Sequence, residues 1–187
     1  NVNPLYTPRE LQHQLTDSGA KAIIILENFA STLEQVIAKT DVKHVAVATM
    51  GDLMGLKGHI VNFVVRNIKK MVPSWSLPGH VPFKKALSAG SGKQLVDHKV
   101  GHDDIAFLQY TGGTTGVSKG AILLHSNVLA NARQNELWLE TAYIGKEKPD
   151  DLIYICALPL YHIFALTVNG VVGINKGALN VLIPNPR

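Results

Sequence analysis

The sequence has 187 residues and a mass of 20.3 kDa, which is the length of one ordinary domain with a sizeable core. With 46% hydrophobic and only 17% charged residues, the composition excludes an intrinsically disordered chain. The single cysteine, Cys156, excludes a disulfide-rich scaffold and a cysteine-rich metal site. Because no basic-then-apolar signal segment follows Asn1, we expect a cytoplasmic location.

The formal net charge of +4 is concentrated in the middle of the chain. Residues 51–102 carry eight basic and two acidic residues, whereas the segments on either side each have a net charge of −1. A basic segment is typical of proteins with an anionic partner, although a solvated surface is the simpler interpretation. The bases follow no nucleic-acid-binding motif, so we do not expect nucleic acid as a partner.

The first half of the chain predicts alternating helices and strands. Thr7-Pro-Arg-Glu10 has the form of a capping box with Pro at the first helical position, which predicts a helix to about Ser18. The apolar run Ala22–Leu26 predicts a strand that is buried on both faces. A helix at about Ser31–Lys39 and a strand at Val45–Ala48 follow, and this alternation predicts an α/β layer with parallel strands.

Residues 57–71 have the pattern of a basic amphipathic helix. Arg66, Lys69 and Lys70 add positive charge to this segment, and it contains no acidic residue. The predicted stripe at helical spacing consists of Ile60, Phe63, Val64, Asn67 and Met71. A helix of this kind can lie on a membrane surface. Burial of its apolar face in the protein is the commoner arrangement, and both interpretations stay open.

The segment that follows is rich in proline and glycine. Residues 73–82 predict a loop, and a short helix near Phe83–Leu87 should end at Gly90. Gly90-Ser-Gly-Lys93 lacks the first glycine and the final Ser or Thr of a Walker A motif, so we interpret it as a loop.

The second half of the chain begins with two strands that flank a glycine-rich segment. Ser126 is the predicted cap of the next helix, and residues 145–151 form a charged turn. Residues 152–175 carry no charged side chain, but Pro159, His162 and Asn169 interrupt the run, which favours strand, turn and helix over a membrane span. The predicted strands are 104–110, 121–124, 152–156 and 179–183, and the predicted helices are 126–141 and 164–175.

The segment Tyr110–Gly120 contains four glycines, four Thr or Ser hydroxyls and one lysine. Glycines let the backbone approach a ligand closely, and successive backbone amides can bind an anion. Lys119 adds a point charge suited to a polyphosphate. A plain hairpin needs the glycines but not the hydroxyls and the lysine, so the composition predicts binding of nucleotide phosphates. The spacing is not that of a Walker A loop.

This segment closely resembles the phosphate loop of the adenylate-forming superfamily, usually written Tyr-Thr-Ser-Gly-Thr-Thr-Gly-x-Pro-Lys-Gly. Two positions depart from that motif, because Gly112 replaces Ser or Thr and Ser118 replaces Pro. Ala157–Ala165 resembles the family's Leu-Pro-x-x-His segment, which lies near the acyl site. Residues 3–11, 103–110 and 125–127 look particularly like those of bacterial long-chain fatty-acid–CoA ligases.

The resemblance implies an α/β fold of layered sheets and packed helices. Residues 1–187 would form a single partial domain within the large N-terminal domain of an adenylate-forming enzyme, without its C-terminal domain. The implied activity is ATP-dependent conversion of a long-chain fatty acid to acyl-adenylate and then acyl-CoA, with release of AMP and pyrophosphate.

The resemblance also implies roles for individual residues. His162 and Lys119 are the implied catalytic residues, with His162 placing the carboxylate or the leaving pyrophosphate, and Thr111 is an implied Mg²⁺ contact. The residues implied to bind the ATP phosphates are Thr111, Gly112, Gly113, Thr114, Thr115, Gly116, Ser118 and Lys119.

Fatty acid, ATP and coenzyme A are the implied substrates, and a homodimer is an option for the full-length protein. An anionic surface on the inner face of the cell membrane is an option for residues 57–71. Because the chain contains no Gly-Tyr-Gly-x-Thr-Glu segment, we expect it to be inert alone and to expose some apolar surface. Two alternatives stay open, namely adenylation of a different carboxylic acid and a non-catalytic nucleotide-binding or membrane-surface module.

Overall fold

The computed structural model describes residues 1–111 and 117–183. It divides into two compact units, a first unit of Val2–His98 and a second unit of Lys99–Arg187 together with Asn1. Both units combine α-helices with β-strands, which confirms the predicted α/β class.

The first unit contains a three-stranded parallel sheet in the order β1–β2–β3. Its strands are β1 (Ala22–Leu26), β2 (His44–Ala48) and β3 (Val81–Pro82). Its helices are α1 (Pro8–Asp17), α2 (Ala30–Glu34), α3 (Leu56–Phe63) and α4 (Phe83–Gly90), with 3₁₀ turns at Glu27–Phe29 and Ile37–Lys39 and a π-helical turn at Val64–Ile68. The strand β3 lies in the segment that the sequence predicted as a loop.

The predicted capping box at the start of α1 is confirmed. The Thr7 amide donates a hydrogen bond to Glu10 Oε2 at 2.8 Å, and the Glu10 amide donates to Thr7 Oγ1 at 3.4 Å. The prediction of one helix over residues 31–39 is wrong, because α2 ends at Glu34. Val36 lies buried in the core with a φ of −126°, so packing of this β-branched side chain overrides the helical pattern.

The core of the first unit lies on one face of its sheet. Its buried members are Leu11, Leu15, Ala30, Leu33, Val36, Val47 and Leu77. Ile23 and Ile25 pack against this core, whereas Ile24 lies on the opposite face and is 68% exposed. The prediction that β1 is buried on both faces is therefore wrong, because α1 and α2 contribute to the core on the face of Ile23 and Ile25.

The second unit contains two small sheets. Antiparallel strands β4 (Ile105–Thr111) and β5 (Lys119–Leu124) form a hairpin, and β6 (Ile153–Cys156) pairs in parallel with β7 (Leu179–Leu182). Its helices are α5 (His125–Thr141), α6 (Ile163–Ala165) and α7 (Gly173–Asn175), with a π-helical turn at Leu166–Val172 between the last two. The helix α6, the π-helical turn and the helix α7 follow one another without a break over residues 163–175. This confirms a helix close to the predicted residues 164–175.

The predicted cap at Ser126 is wrong. The helix α5 begins one residue earlier, at His125, and the Leu124 amide donates a hydrogen bond to Asn127 Oδ1 at 2.9 Å. The side chain of Asn127 therefore stabilises this helix start in place of Ser126.

One face of the β6–β7 pair carries exposed apolar side chains. Ile153, Ile155 and Leu179 are 61%, 72% and 61% exposed, and the pairing puts Ile153 beside Leu179. The expectation of exposed apolar surface is thus confirmed. No helix in residues 1–111 and 117–183 is long and apolar enough to cross a bilayer.

Candidate phosphate-binding site

The hairpin β4–β5 brings two of the predicted site residues together. Its register pairs Thr111 with Lys119 at the end of the ladder. Directly opposed residues of an antiparallel pair have Cβ atoms about 5 Å apart, so both side chains flank the end of the hairpin. Gly112, Gly113, Thr114, Thr115 and Gly116 of the predicted site lie outside the described residues.

Lys119 and Thr111 are both exposed, and Ser118 is partly buried. Within the described ranges, Lys119 forms no ion pair with a carboxylate. Its ammonium group is therefore available to an anion at the end of the hairpin, which is the role that the sequence predicts for it.

Gly120 is a structural requirement of this hairpin that the sequence analysis did not single out. It pairs with Tyr110, and a Cβ atom on Gly120 would lie 2.9 Å from Tyr110 Cζ. Tyr110 is buried, so its ring occupies the space over Gly120. A glycine inside a strand commonly marks such a close approach, and this signal was present in the sequence.

His162 lies at the start of α6, on a different element from the hairpin. Its side chain is exposed, and its Nδ1 accepts a hydrogen bond from the Phe164 amide at 3.3 Å. An accepting Nδ1 leaves the proton of the neutral ring on Nε2, which can therefore donate a hydrogen bond to a ligand oxygen. Within the described residues, His162 makes no hydrogen bond to Thr111 or Lys119.

An apolar cavity of about 420 Å³ lies beside the segment that precedes His162. It is lined by residues 156–161 of the strand end and turn and by Leu182 and Ile183. Its volume lies within the range of small-molecule sites. Cys156 is 4% exposed and its Sγ lies 3.6 Å from the Leu158 carbonyl oxygen, so the thiol is buried.

A second cavity, of about 590 Å³, lies between α5 and the helical segment 163–175. Its polar part contains Glu136, which is buried and accepts hydrogen bonds from Asn175 Nδ2 and, at 3.2 Å, from Arg133 Nη1. The bond from Asn175, helped by Arg133, lowers the pKa of Glu136. The carboxylate is therefore ionised at neutral pH, and it fastens the helical segment to α5.

No group of three or more His, Cys, Asp and Glu side chains in the described part of the chain is arranged to hold a metal ion. Thr111, the Mg²⁺ contact that the resemblance implies, lies within the described part of the chain.

Comparison with solved structures defines the class of protein. The ATP-bound MatB of Rhodopseudomonas palustris superposes with a TM-score of 0.66 at 25% identity, over 100% of this chain and 30% of that chain. A long-chain-fatty-acid-CoA ligase of Archaeoglobus fulgidus gives a TM-score of 0.65 at 26% identity, over 97% of this chain and 29% of that chain. The fold is that of an adenylate-forming enzyme.

The sequence comparisons then identify the family. The AMP-binding enzyme family matches residues 1–187, and the chain belongs to this family. The long-chain-fatty-acid–CoA ligase of Salmonella typhimurium is 55% identical over 188 residues, covering the whole chain and 33% of that protein. The chain thus spans about a third of the length of the curated relatives it matches, and the resemblance stated from its motifs is confirmed.

Proposed function

We propose that this chain forms the phosphate-binding part of an ATP-dependent long-chain fatty-acid–CoA ligase. The observation that carries the proposal is the pairing of Thr111 with Lys119 at the end of the hairpin, with the lysine free of any carboxylate partner in the described residues. The 55% identity to a ligase of that specificity supports the choice of acid.

In the proposed reaction, a fatty-acid carboxylate oxygen attacks the α-phosphorus of ATP, and the bond to pyrophosphate breaks. The thiolate of coenzyme A then attacks the acyl carbonyl carbon, and AMP leaves. Negative charge develops on the leaving pyrophosphate in the transition state. Hydrogen-bond donors and positive charges that are already in position stabilise this charge and lower the activation barrier. The Lys119 ammonium group supplies one such charge, together with the hydroxyls and amides of residues 111–118.

The proposed phosphate contacts are Thr111, Gly112, Gly113, Thr114, Thr115, Gly116, Ser118 and Lys119. His162 offers a second donor through Nε2–H, directed to the substrate carboxylate or to a pyrophosphate oxygen. The apolar cavity beside residues 156–161 is the proposed site for part of the acyl chain, because the residues that line it directly precede His162.

Thr111 suits a role in holding Mg²⁺ with the phosphates. Thr111 is exposed and lies opposite Lys119 in the hairpin. Magnesium typically takes one or two protein oxygens and completes its coordination with phosphate oxygens and water. The ion would neutralise phosphate charge alongside Lys119.

Two further parts of the proposal concern the whole protein. The two units are parts of one larger N-terminal domain, and the protein associates peripherally with the inner face of the cell membrane through residues 57–71. The second part is supported by composition, because residues 53–96 contain seven basic residues and no acidic residue.

A chimeric enzyme tests the proposed activity. The 187 residues replace the matching third of the Salmonella typhimurium ligase, and palmitate-dependent ATP–pyrophosphate exchange is measured. We expect exchange, and we expect Lys119→Ala to lower its rate by about 10²-fold or more, as for other lost transition-state donors. Lys146→Ala is the matched control, because Lys146 is an exposed lysine of the same unit, and it should change the rate less than twofold.

A folded chimera without exchange, or one in which the two lysine variants behave alike, contradicts the proposed role of the hairpin. Circular dichroism and a thermal melt establish folding in each case. A chimera that activates benzoate but not palmitate contradicts the proposed acid while leaving the adenylation chemistry intact.

A further inference from the structure

The helix of residues 56–68 directs its apolar stripe outward. Leu56, Ile60 and Phe63 recur at helical spacing and are 89%, 67% and 58% exposed. On the opposite side of the same helix, Gly58 is buried and Asn62 is partly buried. Val61 and Val65 on that same side are also partly buried, so the side facing the protein carries the smaller side chains, and the large apolar side chains face solvent.

A network of close contacts fixes this orientation. Gly51 and Gly58 meet backbone to backbone, so that a Cβ atom on Gly58 would lie 2.0 Å from the Gly51 carbonyl oxygen. Asn62 Oδ1 accepts a hydrogen bond from the Gly51 amide at 2.8 Å, and Asn62 Nδ2 donates to Thr49 Oγ1 at 2.9 Å. The helix cannot rotate to bury its apolar stripe without breaking these contacts.

The apolar stripe continues into the turn before the helix. Leu53 and Met54 are 77% and 51% exposed. Together with the stripe they form an apolar crest, which we define as Leu53, Met54, Leu56, Ile60 and Phe63. A contiguous group of large exposed apolar side chains commonly marks an interaction site.

The charges beside the crest point to an anionic partner. Lys57, Lys69 and Lys70 are exposed. Arg66 is different, because its Nε and Nη2 donate to both carboxylate oxygens of the buried Glu27 at 2.8–3.1 Å. Arg66 therefore holds the helix in place, and the lysines are the charges available to a partner.

We infer that the apolar crest inserts into the headgroup–acyl boundary of an anionic bilayer, with Lys57, Lys69 and Lys70 among the lipid headgroups. Arg66 is a positioning residue in this arrangement. Apolar side chains flanked by lysines suit such a surface, and residues 53–70 contain no acidic residue. The inference rests on the proposed membrane association and assigns it to particular side chains.

The test measures binding of the full 187-residue chain to vesicles of phosphatidylcholine, with and without 30% phosphatidylglycerol, by cosedimentation at low salt. Leu56→Ser should lower the partition coefficient about tenfold, given the worth of burying a leucine side chain. The matched control is Leu95→Ser, because Leu95 is a leucine of the same unit that is 91% exposed and lies outside the crest. It should change the coefficient less than twofold.

Different outcomes would contradict the membrane association itself and its assignment to the apolar crest. If the unmodified chain does not bind vesicles with 30% phosphatidylglycerol, the membrane association fails and the crest assignment fails with it. If it binds and Leu56→Ser and Leu95→Ser behave alike, the crest assignment alone fails. Equal binding to neutral vesicles contradicts the role of the lysines.

A second copy of the chain is the competing occupant of the crest, and sedimentation velocity distinguishes it. A dimer that dissociates in Leu56→Ser would overturn the lipid assignment. In a Cys156→Ala background, an environment-sensitive dye on Leu56→Cys should shift to the blue with anionic vesicles, whereas the same dye on Leu95→Cys should not.

Discussion

Two helical segments of this protein are held against the rest of their units by the same kinds of contact, but with different partners. One spans residues 56–68 in the first unit, and the other spans residues 163–175 in the second. Each passes into a π-helical turn, each meets the rest of its unit at a glycine, and each is fastened by a buried glutamate. π-helical turns are rare, so their occurrence in both is notable.

The glycines make different contacts. Gly58 meets the backbone of Gly51, whereas a Cβ atom on Gly173 would lie 3.1 Å from Asn180 Nδ2 and 3.3 Å from Tyr154 Cδ2. Side-chain atoms can move by a few tenths of an ångström, but a backbone carbonyl held by its own hydrogen bonds cannot. Two glycines in similar helices therefore differ in how much substitution they tolerate.

The glutamates also differ in their partners. Glu27 accepts a forked pair of bonds from Arg66 on the segment that it holds, whereas Glu136 accepts from the neutral Asn175 and from Arg133 of its own helix. A basic residue that faces a buried carboxylate is committed to the fold. A basic residue without one, such as Lys119, is available to a ligand.

The largest expected effect comes from exchanging Gly58 for alanine, with Gly173→Ala as the comparison. Gly58→Ala should lower the free energy of unfolding by about 3 kcal/mol, because the added methyl group collides with backbone. Gly173→Ala should change it by less than about 1 kcal/mol, because side-chain shifts and the better helix propensity of alanine oppose each other. Urea denaturation measures both, and equal losses would show that the contacts do not differ as described.

Removing the arginine that holds the first segment should have the next largest effect. Arg66→Met keeps much of the side-chain volume but leaves the Glu27 carboxylate buried without its charged partner, at a cost of about 2 kcal/mol. Lys69→Met is the control on the same segment and should stay within about 0.5 kcal/mol. A matching loss in both variants would mean that Arg66 contributes only as a surface charge.

The contribution of Glu136 to stability, through its bond to the second segment, should be lost in acid. Hydrogen bonds from Asn175 and Arg133 lower the pKa of this carboxyl group below its ordinary 4.5. The carboxylate therefore contributes stability above pH 4.5, and this contribution is lost as the pH falls through the lowered pKa. Glu136→Gln should be less stable than the unmodified chain at pH 7, and the difference should shrink below pH 4.5.

Chemical denaturation at a series of pH values measures this difference. Glu147→Gln, at an exposed position of the same unit, should follow the unmodified chain throughout. A difference for Glu136→Gln that stays constant with pH would contradict the assignment.

The smallest expected effect lies at the end of the first segment. Lys70 has a φ of 50°, a left-handed conformation that favours glycine. Lys70→Gly should raise the free energy of unfolding by about 0.5 kcal/mol, whereas Lys69→Gly, in a right-handed conformation, should lower it. Thermal melts of the two variants should therefore shift in opposite directions.

Local rules predicted most of the elements, because short-range patterns determine where helices and strands begin. The capping box at Thr7 and the hairpin around the glycine-rich segment follow from neighbouring residues alone. The errors came from long-range packing. Ile23, Ile24 and Ile25 are chemically identical, and only the position of α1 and α2 on one face of the sheet makes Ile24 the exposed one.

The candidate site, like the helices and strands, was predictable from sequence where it depends on local patterns. Lys119 and Thr111 were named from the motif, and their pairing follows once the two strands are antiparallel. The commitment of Arg66 to Glu27 was not predictable, because 38 intervening residues separate the two and no local pattern links them. The same holds for the outward direction of Ile60 and Phe63, which depends on the contact of Gly58 with Gly51.

The ring of Tyr110 over Gly120 has a consequence for how this hairpin can diverge among related sequences. A larger residue at position 120 is compatible with the fold only if position 110 becomes smaller at the same time. Positions 110 and 120 should therefore covary as a pair, under a constraint that comes from the hairpin itself and persists in a homologue that has lost the capacity to bind nucleotide.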